Sequence, residues 1–349
     1  MLRPYRALGL AVGRPRIPLS EALALAEDAE RAGFGIIGAG EGFFDSFSLV
    51  GALTQRTRTA EVMTTVATWT RTPLTTALAL ATLADLSAGR YRAGFGAMPP
   101  EWSERWHGID ASRPVERMRD FVMAVRALLQ AEPGRAVDHE GPFYRVRGYE
   151  RLSAGPTRVP VYIGATGRRM SELAGEIADG IVFNAVHSLT WLRDIAWPAV
   201  RLGLGRGGLG RADLDAGLLV YCAIADDPAE AFDLARPALA FYFNVPYFGR
   251  LLRHHGWEGE LERGRAALAR NDPAAAARAV SDDMVEAMTI TGTPADVRAK
   301  VGRYDGQVDW VMLTTPLGNP PQVTRELTAR ILSTFGAARP HVAAGSGGR

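Results

Sequence analysis

Eight short apolar runs, each followed by a stretch of helical periodicity, limit the folds open to this chain more than any other feature. The runs are 5–12, Ile36–Ala39, 61–68, Tyr91–Gly96, 161–163, 181–183, 218–224 and Trp310–Thr314. The helical stretches begin with 19–32, which ends at Gly33, and 49–56. They continue with 74–86 behind Pro73 at the first helical position, 115–131, 168–177, 191–202, 294–304 and 322–335. Strand and helix alternating eight times predict a (β/α)8 TIM barrel in the α/β class rather than an open sheet. A hairpin excursion is expected over 138–147 and a loop over 203–210. The stretch from Pro228 to Met288 is longer than one crossover needs, so it is expected to be a helical insertion after strand seven that covers the pocket as a lid. A single barrel domain over 1–337 is expected, with a disordered tail over 338–349.

At 349 residues the chain can bury a large core. A net charge of +2 gives no case for nucleic acid or a membrane surface as partner. The basic residues are almost all arginine, and Lys300 is the sole lysine. Cys222 is the sole cysteine, which excludes an internal disulfide and a cysteine-based metal site. His254-His255 stand in the helical insertion without a carboxylate pattern, so no metal is expected. No apolar run has the length of a bilayer span and no signal peptide is read at the N-terminus, so a cytoplasmic location is expected.

In a barrel of this kind the site lies on the loops that follow the strands. The most informative of them falls in the strand–turn–helix–strand unit Pro160–Ala185. Its turn, Gly164-Ala165-Thr166-Gly167, carries little side chain, so backbone N–H groups and a helix N-terminus can approach an anion. Arg168 and Arg169 then open the helix, where a cation opposes the helix dipole unless a phosphate reverses the sign. The other reading is a solvated pair of Arg168 with Glu172. The spacing is not G-x-G-x-x-G, and neither a P-loop nor a Ser-His-Asp constellation is apparent. Glycines and aromatics with few charges on these loops suit a planar apolar ligand with an anionic tail.

The chain resembles the bacterial luciferase-like family of flavin- and deazaflavin-dependent oxidoreductases. Four segments carry the resemblance. They are Gly33-Phe34 through Gly40-Glu41, Val66 to Pro73 followed by Ala81 to Arg90, Pro114 to Met118, and the Pro160–Ala185 unit. Gly292-Thr293-Pro294 is a weaker echo. The resemblance implies a barrel that binds FMN or coenzyme F420 at its C-terminal face, with the phosphate on Gly164, Ala165, Thr166, Gly167 and Arg168. It also implies a non-proline cis peptide at Thr65–Val66 behind the tricyclic ring. The remaining cofactor-binding residues are Ala67, Thr68, Gly96, Ala97 and Met98. The Val66–Pro73 pattern looks more like the F420-using branch. The histidine that follows the acid in the family's sugar-phosphate dehydrogenases is Gly42 here, and their phosphate-binding lysines are absent, so that activity is not expected. A homodimer is implied, and a flavin reductase partner only if the cofactor is FMN.

Glu41, just past strand two, is the candidate catalytic acid, base or orienter, against a plain structural carboxylate. Phe43, Trp69, Trp102, Trp106 and His107 are candidate substrate-pocket residues, against core or loop packing. His187 is a second candidate proton relay. The expected activity is hydride transfer between F420 and a small organic substrate. The alternatives are an FMN-dependent monooxygenase, a non-catalytic flavin-binding protein, and a phosphate-binding aldolase or isomerase barrel. The last is disfavoured because Lys300 lies on a predicted helix.

Overall fold

The computed structural model describes residues 7–42, 44–151, 157–245 and 247–336. Twelve strands are present among them: β1 (Ala7–Val12), β2 (Ile36–Ala39), β3 (Glu61–Thr64), β4 (Ala67–Thr68), β5 (Tyr91–Gly96), β6 (Val137–Glu140), β7 (Arg145–Tyr149), β8 (Val161–Ala165), β9 (Gly180–Phe183), β10 (Asp215–Ile224), β11 (Thr289–Gly292) and β12 (Trp310–Thr314). The main sheet is parallel throughout and closes on itself. β1 pairs with β2 and β12, β2 with β3, β3 and β4 with β5, β5 with β8, β8 with β9, β9 with β10, and β10 with β12. With β3 and β4 sharing one position, this is a closed eight-stranded barrel ringed by helices, as the alternation predicts. β6 and β7 form the separate antiparallel hairpin.

The barrel interior is filled by a few large side chains set against glycines. Ile36, Met63, Tyr162, Val182, Trp310 and Met312 form a buried cluster. A Cβ at Gly217 would lie 2.0 Å from the Trp310 ring, and one at Gly180 would lie 2.1 Å from the Tyr162 ring. Tyr162 Oη and Trp310 Nε1 both donate to Asp215 Oδ2, at 2.6 and 3.1 Å, which closes the N-terminal end of the barrel. Gly217→Ala therefore forces Trp310 or its strand to move. It is expected to cost about 1–3 kcal/mol, read as a lowered denaturation midpoint with unchanged circular dichroism.

Several boundaries differ from the periodicity, each for a local reason. The third strand is not continuous over 61–68, because the Thr65–Val66 peptide is cis and divides it into β3 and β4. The second helix starts at Ser46, where Asp45 caps it through Ser48 N at 2.7 Å. Glycines suggest a loop over 203–210, yet the helix Trp197–Gly207 runs through. There Gly203 faces the backbone of helix Arg168–Ile177, and a Cβ would lie 1.9 Å from Glu172 O. Gly203 permits close helix packing, and the helix ends only at Gly208, its left-handed C-cap. β11 went unread in the sequence. It pairs with Tyr221–Ile224 at the C-terminal end of β10, beyond the stretch that pairs with β9.

The stretch after β10 holds the helices Pro228–Ala240, Phe248–His254, Glu258–Ala269, Pro273–Arg278 and Asp282–Met288. Leu239, Phe243, Leu251, Leu261 and Met284 in it belong to the same buried cluster as the outer face of the barrel. The expected disordered tail, the first two residues of the 5–12 run and Phe43 lie outside the described residues. No helix is long and apolar enough to cross a membrane among the described residues.

Candidate functional site

A cavity of about 410 Å³ opens at the C-terminal face. Its walls include Thr65, Val66, Gly96, Ala97, Met98, Gly164, Ala165, Thr166, Gly167 and Arg168. Ten of the twelve expected cofactor residues thus meet on one cavity. Ala67 and Thr68 are buried in β4 beside it. The glycines are there because Val66 is. A Cβ at Gly96 would lie 2.5 Å from Val66 Cγ2, and one at Gly164 would lie 3.1 Å from Val66 Cγ1. The cis peptide is at Thr65–Val66, where the resemblance implied it. Val66 O accepts from Glu41 N at 3.1 Å, which ties the end of β2 to the cavity floor.

The other end of the cavity is cationic. Gly167 is the N-cap of helix Arg168–Ile177, which has no acidic residue in its first turn. The pairing of Arg168 with Glu172 does not form. Glu172 takes Arg206 instead, a residue the neighbouring helix brings over it. Arg250, from the helix Phe248–His254, joins Arg168 and Arg169 on the cavity wall. Among the described residues none of these three arginines has a carboxylate within ion-pair distance. A smaller cavity of about 180 Å³, lined by Thr166, Gly167, Arg168, Trp191, Tyr247 and Arg250, adjoins the turn. Three positive charges beside a helix N-terminus repel one another and the dipole alike, and an anion relieves both.

Sequence reasoning missed Arg250 and Tyr247. They stand in the insertion, remote in sequence from the turn, and no local motif marks them. Asn184 and Leu219 also line the cavity. Asn184 had a positional signal, since it directly follows strand β9.

Glu41 lies beside this cavity rather than on its wall. Its side chain is 14% exposed and takes a bidentate pair from Arg71, Nη1 to Oε2 at 2.9 Å and Nη2 to Oε1 at 3.0 Å. Ser46 Oγ donates to Oε2 at 2.6 Å. Arg71 also pairs with Asp45 and lies 4.9 Å above the Phe47 ring. Both carboxylate oxygens are therefore engaged, the geometry of an orienting group.

Trp69 is buried in the core. Trp102, Trp106 and His107 stand on a helix, Pro100–His107, where the sequence suggested a loop. Trp102 stacks on Trp106 at 4.8 Å and faces Phe241 of the insertion at 6.4 Å, while Trp106 is 59% exposed. None of these four lines the cavity; Met98, Pro100 and Ala111 do so from that region.

His187 is buried between Phe183 and Trp191, with ring centroids 6.1 and 6.2 Å away. Neither ring nitrogen makes a hydrogen bond of ordinary geometry, though the Thr166 backbone lies beside the ring. Burial pushes its pKa down to about 3, and the Thr166 backbone opposes this only in part. The imidazole is therefore neutral at working pH, and a proton shuttle that charges it near neutrality is disfavoured. His255 Nε2 meets Ser188 Oγ at 2.8 Å and its ring stacks on Trp257, while His254 faces Asp194 at 3.4 Å. Asp194, remote in sequence, thus stands beside His254. Lys300 pairs with Glu286 and donates to Thr291 O at 2.7 Å, far in role from a free amine nucleophile.

Comparison with known proteins agrees with this geometry. The family model described as luciferase-like monooxygenase matches residues 6–308. A 5,10-methylenetetrahydromethanopterin reductase of Archaeoglobus fulgidus is 30% identical over 278 residues, 78% of this chain and 82% of the relative. The coenzyme F420 dependent tetrahydromethanopterin reductase from Methanopyrus kandleri superposes with a TM-score of 0.81 at 22% identity, over 95% of this chain and 99% of that one. The oxygenating constituent of 3,6-diketocamphane monooxygenase from Pseudomonas putida, in complex with FMN, superposes with a TM-score of 0.67 at 17% identity, over 97% and 99%. A cis-bonded third strand, a glycine-lined cavity on the barrel's C-terminal face and a family match across most of the length converge: this chain belongs to the luciferase-like monooxygenase family.

Proposed function

We propose that this protein is an oxidoreductase that transfers a hydride between coenzyme F420 and a small organic substrate. The observation that carries the reading is the polarity of one cavity. It is apolar where Val66, Met98, Val182 and Leu219 meet, and cationic where Arg168, Arg169 and Arg250 stand without carboxylate partners. A planar ring with a phosphate tail satisfies both ends. Thr65, Val66, Gly96, Ala97 and Met98 would hold the ring. The turn Gly164–Gly167 with Arg168 and Arg250 would hold the phosphate, with Ala67 and Thr68 supporting Val66 from behind. When bound, the deazaflavin supplies the hydride chemistry. The chain's own residues bind it, fix its orientation and exclude water. Glu41 acts as an orienting residue, keeping Arg71 and the end of β2 against Val66. Tyr247 and Arg250 give the insertion a place on the cavity wall, which fits a cover over the site.

F420 is favoured by the Val66–Pro73 pattern and by the likeness to the coenzyme F420 dependent Methanopyrus reductase named above. The FMN-bound Pseudomonas structure favours a second reading, an FMN-dependent monooxygenase that needs a reductase partner. A homodimer fits either. Anaerobic incubation with F420 and secondary alcohols, or with reduced F420 and a panel of imines and activated alkenes, tests the choice. Absorbance changes that scale with protein concentration are expected. Oxygen consumption that requires reduced FMN, without F420 turnover, favours the second reading and counts against the first.

A further inference from the structure

The mouth of the barrel holds a second cationic place, on the side away from the phosphate turn. Arg14 directly follows β1, and its guanidinium reaches across to β12. Nη1 donates to Thr314 Oγ1 at 3.0 Å and Nη2 to Thr315 O. Nε is enclosed without a partner, and so is the neighbouring Thr315 Oγ1. No carboxylate lies within ion-pair distance of Arg14 among the described residues. Two phenols are the titratable groups that act on it. Tyr221 from β10 and Tyr242 from the insertion face it, with their hydroxyls 3.3 Å apart. Burial draws the guanidinium below the ordinary arginine range and raises both phenols, so these remain neutral hydroxyls. Beside Arg14 is a cavity of about 200 Å³, also lined by Arg16, Pro316, Gly318 and Asn319. Arg16 has φ +62°, a left-handed conformation rare for a side chain of its kind.

A half-buried guanidinium with two neutral acceptors, an enclosed spare N–H and no carboxylate within ion-pair distance is an incomplete arrangement. Charges removed from water are ordinarily paired, and the cost of an unpaired one is large. Arginine's planar fork matches a carboxylate, and Arg16 adds a second cation on the same cavity wall. The turn at Gly164–Arg168 answers the anion of the cofactor, so this second place answers a different one.

We propose that Arg14, with Arg16 on the wall of the same cavity, forms a carboxylate-binding subsite on the β1–β12 side of the mouth, and that the substrate is an organic acid anchored there. The substrate assignment rests on the oxidoreductase reading; the binding of a carboxylate does not.

Isothermal titration of the full-length protein without cofactor, using acetate, succinate and benzoate and in parallel their neutral amides, separates the two. At least one acid is expected to bind while its amide does not. Arg14→Gln is expected to weaken that acid about tenfold or more, and Arg168→Ala to leave it unchanged. Arg14→Lys, which keeps the charge but loses the fork, and Arg16→Gln are expected to weaken it by smaller factors. These variants serve if Arg14→Gln does not fold. Acids and amides that bind alike, no binding by any acid, or an affinity indifferent to Arg14 and Arg16 would overturn the subsite. Acid binding by a protein that takes up neither F420 nor FMN would uphold the subsite and defeat the oxidoreductase reading instead.

Discussion

Arg168→Ala is expected to weaken cofactor binding by about 1.5–3 kcal/mol, and adding Arg250→Ala to bring the loss to about 3 kcal/mol or more, over a hundredfold in Kd. Both guanidiniums line the same cavity as the turn, and Glu172 pairs with Arg206 rather than with Arg168. Arg168 and Arg250 are exposed in the free protein, so removing them costs the folded state little. The effect therefore concentrates on binding rather than stability. Non-additivity is expected, since the two residues share one phosphate. Equilibrium titration of the single and double variants measures it. An affinity insensitive to Arg250 would return the insertion to a purely structural role. An affinity insensitive to Arg168 would remove the turn from the site.

Acid lowers the stability of this protein through His187. Its folded pKa is about 3, below the ordinary value of 6.5, because the ring is buried, and the Thr166 backbone offsets this only in part. Below about pH 6.5 the unfolded chain takes up the proton while the folded chain does not, until the pH approaches the folded value. The unfolded state then binds more protons, so stability falls with falling pH, by up to about 1.4 kcal/mol per unit. Above the unfolded value the contribution is complete and flat. His187→Phe keeps an aromatic side chain between Phe183 and Trp191 and removes the titration. Denaturant midpoints for both proteins between about pH 6 and 4 are expected to diverge, with the steeper loss in the wild type. Parallel curves would mean that the ring charges in place, and would reopen a proton-relay role for it.

The barrel was legible because strand runs and helix periods report on burial, and burial is what the closed sheet imposes. The boundaries that failed did so where a residue's role depends on a distant neighbour. Gly203 reads as a helix breaker until Glu172 O is seen above it, and Thr289–Gly292 reads as a helix end until the long β10 offers it an edge. Of the cavity floor, the turn Gly164–Gly167 was legible from its small residues, whereas Val66 and Gly96 came from the family resemblance. Arg250 and Tyr247 were not legible, since a long insertion leaves no periodic trace, and Arg14 follows strand one on a loop where the site is expected, but its reach across 300 residues was not readable. The aromatic residues misled in the opposite direction. Trp69 packs in the core, and Trp102 and Trp106 stack on each other outside the cavity wall, so being large and near a barrel loop did not place them in the pocket.

The most direct test of the central proposal is a fluorescence titration of the purified apo-protein with F420 and, separately, with FMN. Tight, saturable binding of F420, lost in the Arg168→Ala, Arg250→Ala double variant, is the expected result. Binding of FMN alone would contradict the assignment of F420 and favour the oxygen-using reading. Binding of neither would contradict the proposal that this cavity is a cofactor site at all.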